Sequence, residues 1–285
     1  MSAESKSLTW EDAVVWLRSQ PDQCQLVLDA YFDDPLLAAA QRYHDSDEWR
    51  EIATLLRERT GKALDVGAGR GIASYALARD GFRVTALEPD SSAIVGSAAI
   101  RSLATETALP IEVVEELSER LPFADGEFDV VFARAVLHHT SDLDRACAEM
   151  FRVLRRGGIF IAVREHVISR EADLQAFLDD HPLHHLYGGE HAYRLDRYLD
   201  ALRAAGFASI DALAPLQSPI NLFPYTIDTL REAVIDRLSQ RLPGRPVLRA
   251  VLGSDRLFQW LLTAAAPFDH RPGRLYSFIG HKVAP

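Results

Sequence analysis

Leu64-Asp65-Val66-Gly67-Ala68-Gly69-Arg70-Gly71 is the stretch whose reading decides the fold. A short apolar run, Ala63 to Val66, leads into glycines at alternate positions, and a helical pattern follows through about Arg79. Glycines after a first strand let the backbone turn tightly and lie against a ligand, with the next helix presenting free N–H groups. The pattern is GxGxG, and Ile72 stands where the third glycine of a GxGxxG dinucleotide fingerprint would fall. Asp65, two places before the first glycine, suits a cationic ligand better than a pyrophosphate. Glu88 closes the next apolar run, Phe82 to Leu87, where a carboxylate can accept both hydroxyls of a ribose.

Outward from this loop, short apolar runs alternate with helices. Ser91 to about Glu106 reads as a helix, Ile111 to Val114 and Phe128 to Ala133 as strands, Asp142 to Leu154 as a helix and Gly158 to Val163 as a fifth strand. Strand, glycine turn, helix, strand is the signature of right-handed crossovers in a parallel sheet. Upstream, residues 8–60 read as helical, in two runs opened by Leu8-Thr9-Trp10 and Asp34-Pro35 and stopped by Thr60-Gly61. Downstream, His181 to Tyr193 reads as a loop, Leu195 to Ala205 as a helix, Phe207 to Leu213 as a sixth strand and Arg274 to Val283 as the last. The proline-rich residues 214–273 between them carry two helical runs. The expected organisation is a helical cap over 1–60, a core over 61–213, a helical insertion over 214–273 and a final core strand over 274–285.

Composition narrows the function. The chain has 285 residues, 48% hydrophobic and 25% charged, an ordinary balance for a soluble globular protein that excludes a disordered tail or a collagen-like chain. No run approaches the roughly 18 apolar residues of a membrane-spanning helix, and the first residues lack an apolar signal core. A net charge of −10 disfavours a general affinity for nucleic acid. Cys24 and Cys147 cannot build a disulfide framework or a four-cysteine zinc site, so a reduced cytoplasm fits.

Four ordered pieces resemble the class I S-adenosylmethionine-dependent methyltransferases, in particular the type 11 group: ALDVGAGRG at 63–71, Glu88, LPFADGEFDVVFARAVLHH at 121–139 and FRVLRRGGIFIAV at 151–163. The resemblance implies an α/β, Rossmann-like seven-stranded sheet with helices on both faces and an antiparallel last strand. It implies S-adenosyl-L-methionine as cofactor, with Asp65, Gly67 and Gly69 along its methionine part and Glu88 at the ribose, and Ala68, Gly71 and Pro89 among the expected cofactor-binding residues. Many relatives carry Asp four residues before Leu-Pro-Phe, near the adenine amino group. Leu117 stands there, so Glu116 or Ser118 would substitute. Arg134 and Tyr43 complete the expected cofactor set, Tyr43 and His44 capping from the N-terminal helices. Holding nucleophile, methyl and sulfur in line can lower the barrier by several kcal/mol, with about 7–11 as the ceiling.

The acceptor side rests on weaker signals. His138 and His139 follow the fourth strand, and Glu165 and His166 the fifth, at the carboxyl edge where ligands bind in open α/β sheets. His139, His166 and Glu165 are the candidate catalytic groups, beside the plainer reading that they cap or solvate turns. The run His181-Pro-Leu-His184-His185-Leu-Tyr187-Gly-Gly-Glu190-His191 matches no standard zinc-ligand spacing and no cysteine joins it, so no metal is expected. Substrate pocket and structural loop both stay open for that run. The tryptophans Trp10, Trp16 and Trp49 read as core anchors. The loop and the insertion are expected to close over the acceptor. The competing reading has Leu222, Phe223, Phe258, Trp260 and Leu261 bury against a partner subunit in a homodimer.

The resulting expectation is methyl transfer to a small-molecule acceptor, with no nucleic acid or membrane partner. The alternatives are a non-catalytic cofactor-binding protein and a nicotinamide oxidoreductase, the latter disfavoured by Ile72.

Overall fold

The computed structural model describes residues 8–241 and 244–283. Its centre is a mixed sheet of strands β1 (Lys62–Val66), β2 (Arg83–Leu87), β3 (Ile111–Val114), β4 (Phe128–Arg134), β5 (Leu154–Ile168), β6 (Tyr193–Arg194), β7 (Ile210–Leu213) and β8 (Arg274–His281). The order is β3-β2-β1-β4-β5-β8-β7, with the two-residue β6 paired to the end of β5. Pairing is parallel from β3 to β5, and β8 runs antiparallel to both β5 and β7. This is the expected Rossmann-like sheet with its reversed last strand, plus one short extra strand.

The central strands are apolar on both faces because helices cover both. Val130 to Ala133 and Ile159 to Val163 are buried without a break, the pattern of a parallel sheet rather than a half-solvated one. Helices α5 (Ile72–Arg79), α6 (Ser97–Thr107), α7 (Leu143–Val153) and α10 (Leu195–Ala205) supply those layers. Ile72 starts α5 and packs into the core. The second helix begins later than its sequence suggests. Asp90 and Ser92 side chains accept the amides of Ser92, Ile94 and Val95 at 2.8–3.1 Å, which satisfies those groups in turns and defers the helix past Gly96.

Helices α1 (Trp10–Ser19), α2 (Cys24–Asp29), α3 (Leu36–His44) and α4 (Asp47–Leu56) form the N-terminal segment. The presumed tryptophan anchors divide there: Trp49 is 1% exposed, whereas Trp16 is 44% exposed on the surface. The segment 174–194 is more ordered than a loop. It holds α8 (Leu174–Asp180) and the single-turn α9 (His184–Tyr187), stopped by Gly188 at φ 78°. The insertion carries three helices rather than two: α11 (Ile227–Ser239), α12 (Arg245–Leu252) and α13 (Asp255–Ala265). Ile235, Leu252, Phe258 and Leu262 bury against one another as a small separate core. Among the described residues no helix is long and apolar enough to cross a membrane.

Candidate active site

The carboxyl ends of β1, β2, β4 and β5 open into one cavity of about 850 Å³. Its first wall is the glycine loop. Gly67 and Gly69 hold φ 61° and 55°, the left-handed region that costs L side chains strain. A Cβ on Gly67 would meet the Val136 side chain at 2.8 Å, so the loop can pass that close to the end of β4 only as glycine. A Cβ on Gly69 would meet nothing nearer than the Val95 carbonyl at 3.9 Å, so the backbone there borders open cavity. Glu88 accepts the Gly69 amide at 2.7 Å and the Asp90 amide at 2.9 Å. Burial pushes its carboxyl up to about 7 despite those amides. A glycine cradle open on its ligand side and a carboxylate beside it fit a nucleoside with an amino-acid tail.

A second wall carries buried charge. Arg134, at the end of β4, donates to Glu48 on α4 at 2.7 Å, and the Arg164 guanidinium lies 3.6 Å from the same carboxylate. Two cations therefore share one anion, and Arg164 drops to about 10 through burial and the neighbouring Arg134. Arg164 also stacks over the Phe223 ring at 3.7 Å. Arg70, on the loop itself, donates to the carbonyls of Tyr31 and Asp33 at 2.9 Å each. That bolts the N-terminal helices over the cradle, where Trp10, Leu26 and Phe32 reach the cavity.

The third wall is built where two strand ends break regularity. Ala135 and Arg164 take φ 56° and 61° without being glycine, and the β5–β8 register shifts between Ala162 and Glu165. Backbone in this region costs on the order of 1–3 kcal/mol each. What it achieves is local: Glu165 turns inward and accepts the amides of Val136, Leu137 and His138 at 3.1–3.2 Å, together with His138 Nδ1 at 2.6 Å. The pairing of β6 with Val167 and Ile168 brings the 181–191 segment alongside. His139 Nδ1 and His166 Nδ1 donate to the carbonyls of Gly189 and Gly273 at 3.0 and 2.8 Å. Glu190 lies 3.8 Å from His138 Nε2, from His139 Nε2 and from His181 Nδ1. Burial holds His138 and His166 far below the usual imidazole range.

Of the residues picked out in the sequence, Gly67, Gly69, Glu88, Pro89, Glu116, Leu117, Ser118, Arg134, His139 and His166 line this cavity. His138, His181, Tyr187 and Glu190 line it as well, whereas Asp65, Ala68, Gly71, Tyr43, His44 and Glu165 do not. Asp65 lies under the loop, 1% exposed and bonded to the Ser74 hydroxyl at 2.6 Å. Ala68 packs on Ala86 and Ile100, and Gly71 caps α5. Tyr43 is fully buried with its hydroxyl on Glu48, one layer behind Arg134. His44 bonds Asp80 at 2.9 Å, away from the cavity. Glu165 is 0% exposed and spends its oxygens on backbone amides, so it orients His138 instead of facing an acceptor. From the insertion side, Phe223 and Pro272 reach the cavity and α11 to α13 do not line it. Leu222 and Phe258 are buried within the chain. Trp10, read as a core anchor, is a wall residue.

Glu48, Arg70 and Arg164 escaped the sequence reading. A signal existed for Glu48 alone: it stands four residues before Ile52, on the inward stripe of α4, where an acid is out of place.

Residues 64–162 match the methyltransferase domain family. That stretch is similar to the class I, type 11, S-adenosylmethionine-dependent methyltransferases, a class whose cofactor is S-adenosylmethionine. A ubiquinone biosynthesis O-methyltransferase of Methylobacterium sp. (strain 4-46) is 26% identical over 55% of this chain and 64% of its own length. The chain thus spans under two thirds of that relative. In fold, the chain is similar to phosphoethanolamine N-methyltransferase 2 of Haemonchus contortus, solved with S-adenosyl-L-methionine, at a TM-score of 0.55 and 16% identity over 95% of this chain and 60% of that one. It is also similar to the [4+2]-cyclase SpnF, at a TM-score of 0.50 and 23% identity over 82% of this chain and 81% of that one.

Proposed function

We propose that the chain transfers the methyl group of S-adenosylmethionine to a small-molecule acceptor. The observation that carries this reading is the cradle: a cavity-facing glycine turn with Glu88 beside it, continuous with a histidine-lined space large enough for a second molecule. The bound cofactor supplies a sulfonium-activated methyl group, and the protein's work is mainly alignment.

Glu88 accepts the ribose hydroxyls, and the surplus positive charge of Arg134 and Arg164 over Glu48 faces the methionine carboxylate. Trp10 and Phe32 exclude water from above. On the acceptor side, His139 and His166 each donate Nδ1–H to a carbonyl, which leaves the Nε2 lone pair free. A homodimer belongs to the proposal as well. Val247, Val251 and Trp260, exposed by 66%, 51% and 64% on α12 and α13, offer an apolar face to a second copy. So does a reducing cytoplasm, since Cys24 and Cys147 are both free thiols.

Because the fold also carries a cyclase, the reaction needs its own test. The protein is incubated with a small-molecule extract and S-adenosylmethionine deuterated in its methyl group. A deuterium-labelled product with wild type and none with Gly69→Val is expected. Cofactor binding without any labelled product would favour a non-catalytic or non-transferring role.

A further inference from the structure

We infer that His138, His139, His166, His181 and Glu190 form a site for one divalent first-row transition-metal ion on the acceptor side of the cavity. His138, His139 and Glu190 offer ligand atoms that all lie within 4.8 Å of one another, and so do His166, His181 and Glu190. The shared carboxylate makes the two triads one cluster. Ring centroids 4.2, 4.8 and 5.4 Å apart link His139, His138, His166 and His181 in sequence.

The spacing suits an ion better than a hydrogen-bonded network. The contacts of Glu190 with His138, His139 and His181 are 3.8 Å each, too long for a hydrogen bond. Two ligands that far apart can share an ion about 2.0–2.2 Å from each. The His181 Nδ1 atom is buried with no hydrogen-bond partner, an arrangement that costs stability unless something binds there.

The outer contacts point the same way. A metal-bound imidazole ordinarily donates its other N–H to a carboxylate or carbonyl, which fixes the tautomer. His138 does so to Glu165, His139 to Gly189 and His166 to Gly273, each through Nδ1, leaving Nε2 as the free donor atom. Tyr187 steadies Glu190 through a 2.6 Å hydrogen bond. Several imidazoles with one carboxylate suit zinc, iron or nickel over magnesium or calcium, which prefer oxygen.

Val136, two residues before His138, packs against Gly67, so the site adjoins the glycine loop. An acceptor oxygen or nitrogen bound to the ion would be held beside the cradle. That role rests on the methyl-transfer reading, whereas ion binding does not.

The test strips the full-length protein with a chelator and titrates it with zinc chloride by calorimetry, without cofactor, then with cobalt(II) followed by its visible spectrum. We expect one ion per chain, with affinity falling more than about tenfold in both Glu190→Gln and His181→Ala. S-adenosylhomocysteine affinity and melting temperature should stay near wild type in both variants. His181, the more exposed of the two, decides the matter if Glu190→Gln does not fold. Failure of the folded wild type to bind either ion stoichiometrically overturns the inference, as does wild-type affinity in the folded variants. Ion binding without S-adenosylhomocysteine binding would contradict the proposed function alone.

Discussion

The loop wall of the cavity comes from one nearly continuous stretch, Gly67 to Gly71 with Glu88 closing the next strand, whereas the histidine wall is assembled from three. His138 and His139 follow β4, His166 lies on β5, and His181 and Glu190 arrive on the connection to β6. The first wall is set by local backbone geometry, so residue spacing alone describes it. The second exists only once a register break in β5 and a two-residue strand have brought distant segments together. Spacing within 181–191 carries no ligand pattern because most of its partners lie outside that run.

The sharpest way to break this contrast is at the loop. Gly69→Val puts a β-branched side chain at a left-handed position and fills the cradle, so it is expected to abolish the thermal shift produced by S-adenosylhomocysteine. A variant that binds as well as wild type would show that the loop is not the cofactor wall. Glu88→Ala should weaken the same binding by about 1.5–3 kcal/mol, the range for hydrogen bonds to a charged group. Its two amide contacts make some loss of loop order part of that figure. Unchanged affinity with collapsed stability would make Glu88 structural.

A smaller effect follows from protonation. Burial raises the Glu88 carboxyl to about 7, so the accepting form is scarce at pH 6 and dominant at pH 8. S-adenosylhomocysteine affinity should therefore climb between those values in wild type and stay flat in Glu88→Gln, as calorimetry across that range would show. Stability of the ligand-free protein runs the other way. A carboxyl raised above its unfolded value of 4.5 contributes most at low pH, and that contribution is lost as pH rises through about 7. A wild-type affinity that ignores pH would remove Glu88 from the ribose.

Smallest is the effect expected at the outer face of the insertion. Trp260→Ala should leave S-adenosylhomocysteine affinity unchanged and monomer stability within about 0.5 kcal/mol, while shifting sedimentation towards the monomer. An unaltered assembly would remove this face from the dimer.

The same contrast explains what was legible in advance. Periodicity revealed β1, β4 and β5 as apolar runs buried on both faces, β2 and β3 as shorter apolar runs and β8 as an alternating strand, while the reversed direction of β8 came from the family resemblance. Gly67, Gly69 and Glu88, which the strand-turn-helix grammar singles out, line the cavity. The sequence reading misjudged Asp65, Tyr43 and Glu165, whose polar ends are absorbed by Ser74, Glu48 and backbone amides. Satisfaction of a buried polar group is a tertiary fact that no spacing encodes. Of the lid expected over 214–273, only Phe223, Pro272 and Gly273 among the described residues line the cavity, because the buried apolar residues of α11 to α13 meet one another.

The central claim, that the glycine-loop wall holds S-adenosylmethionine, is tested most directly by calorimetric titration of wild type with S-adenosylhomocysteine beside a parallel titration with NAD. One equivalent of S-adenosylhomocysteine bound per chain, with no heat of binding from NAD, is the predicted result. Binding of NAD in its place, or of neither ligand to the folded protein, would contradict it.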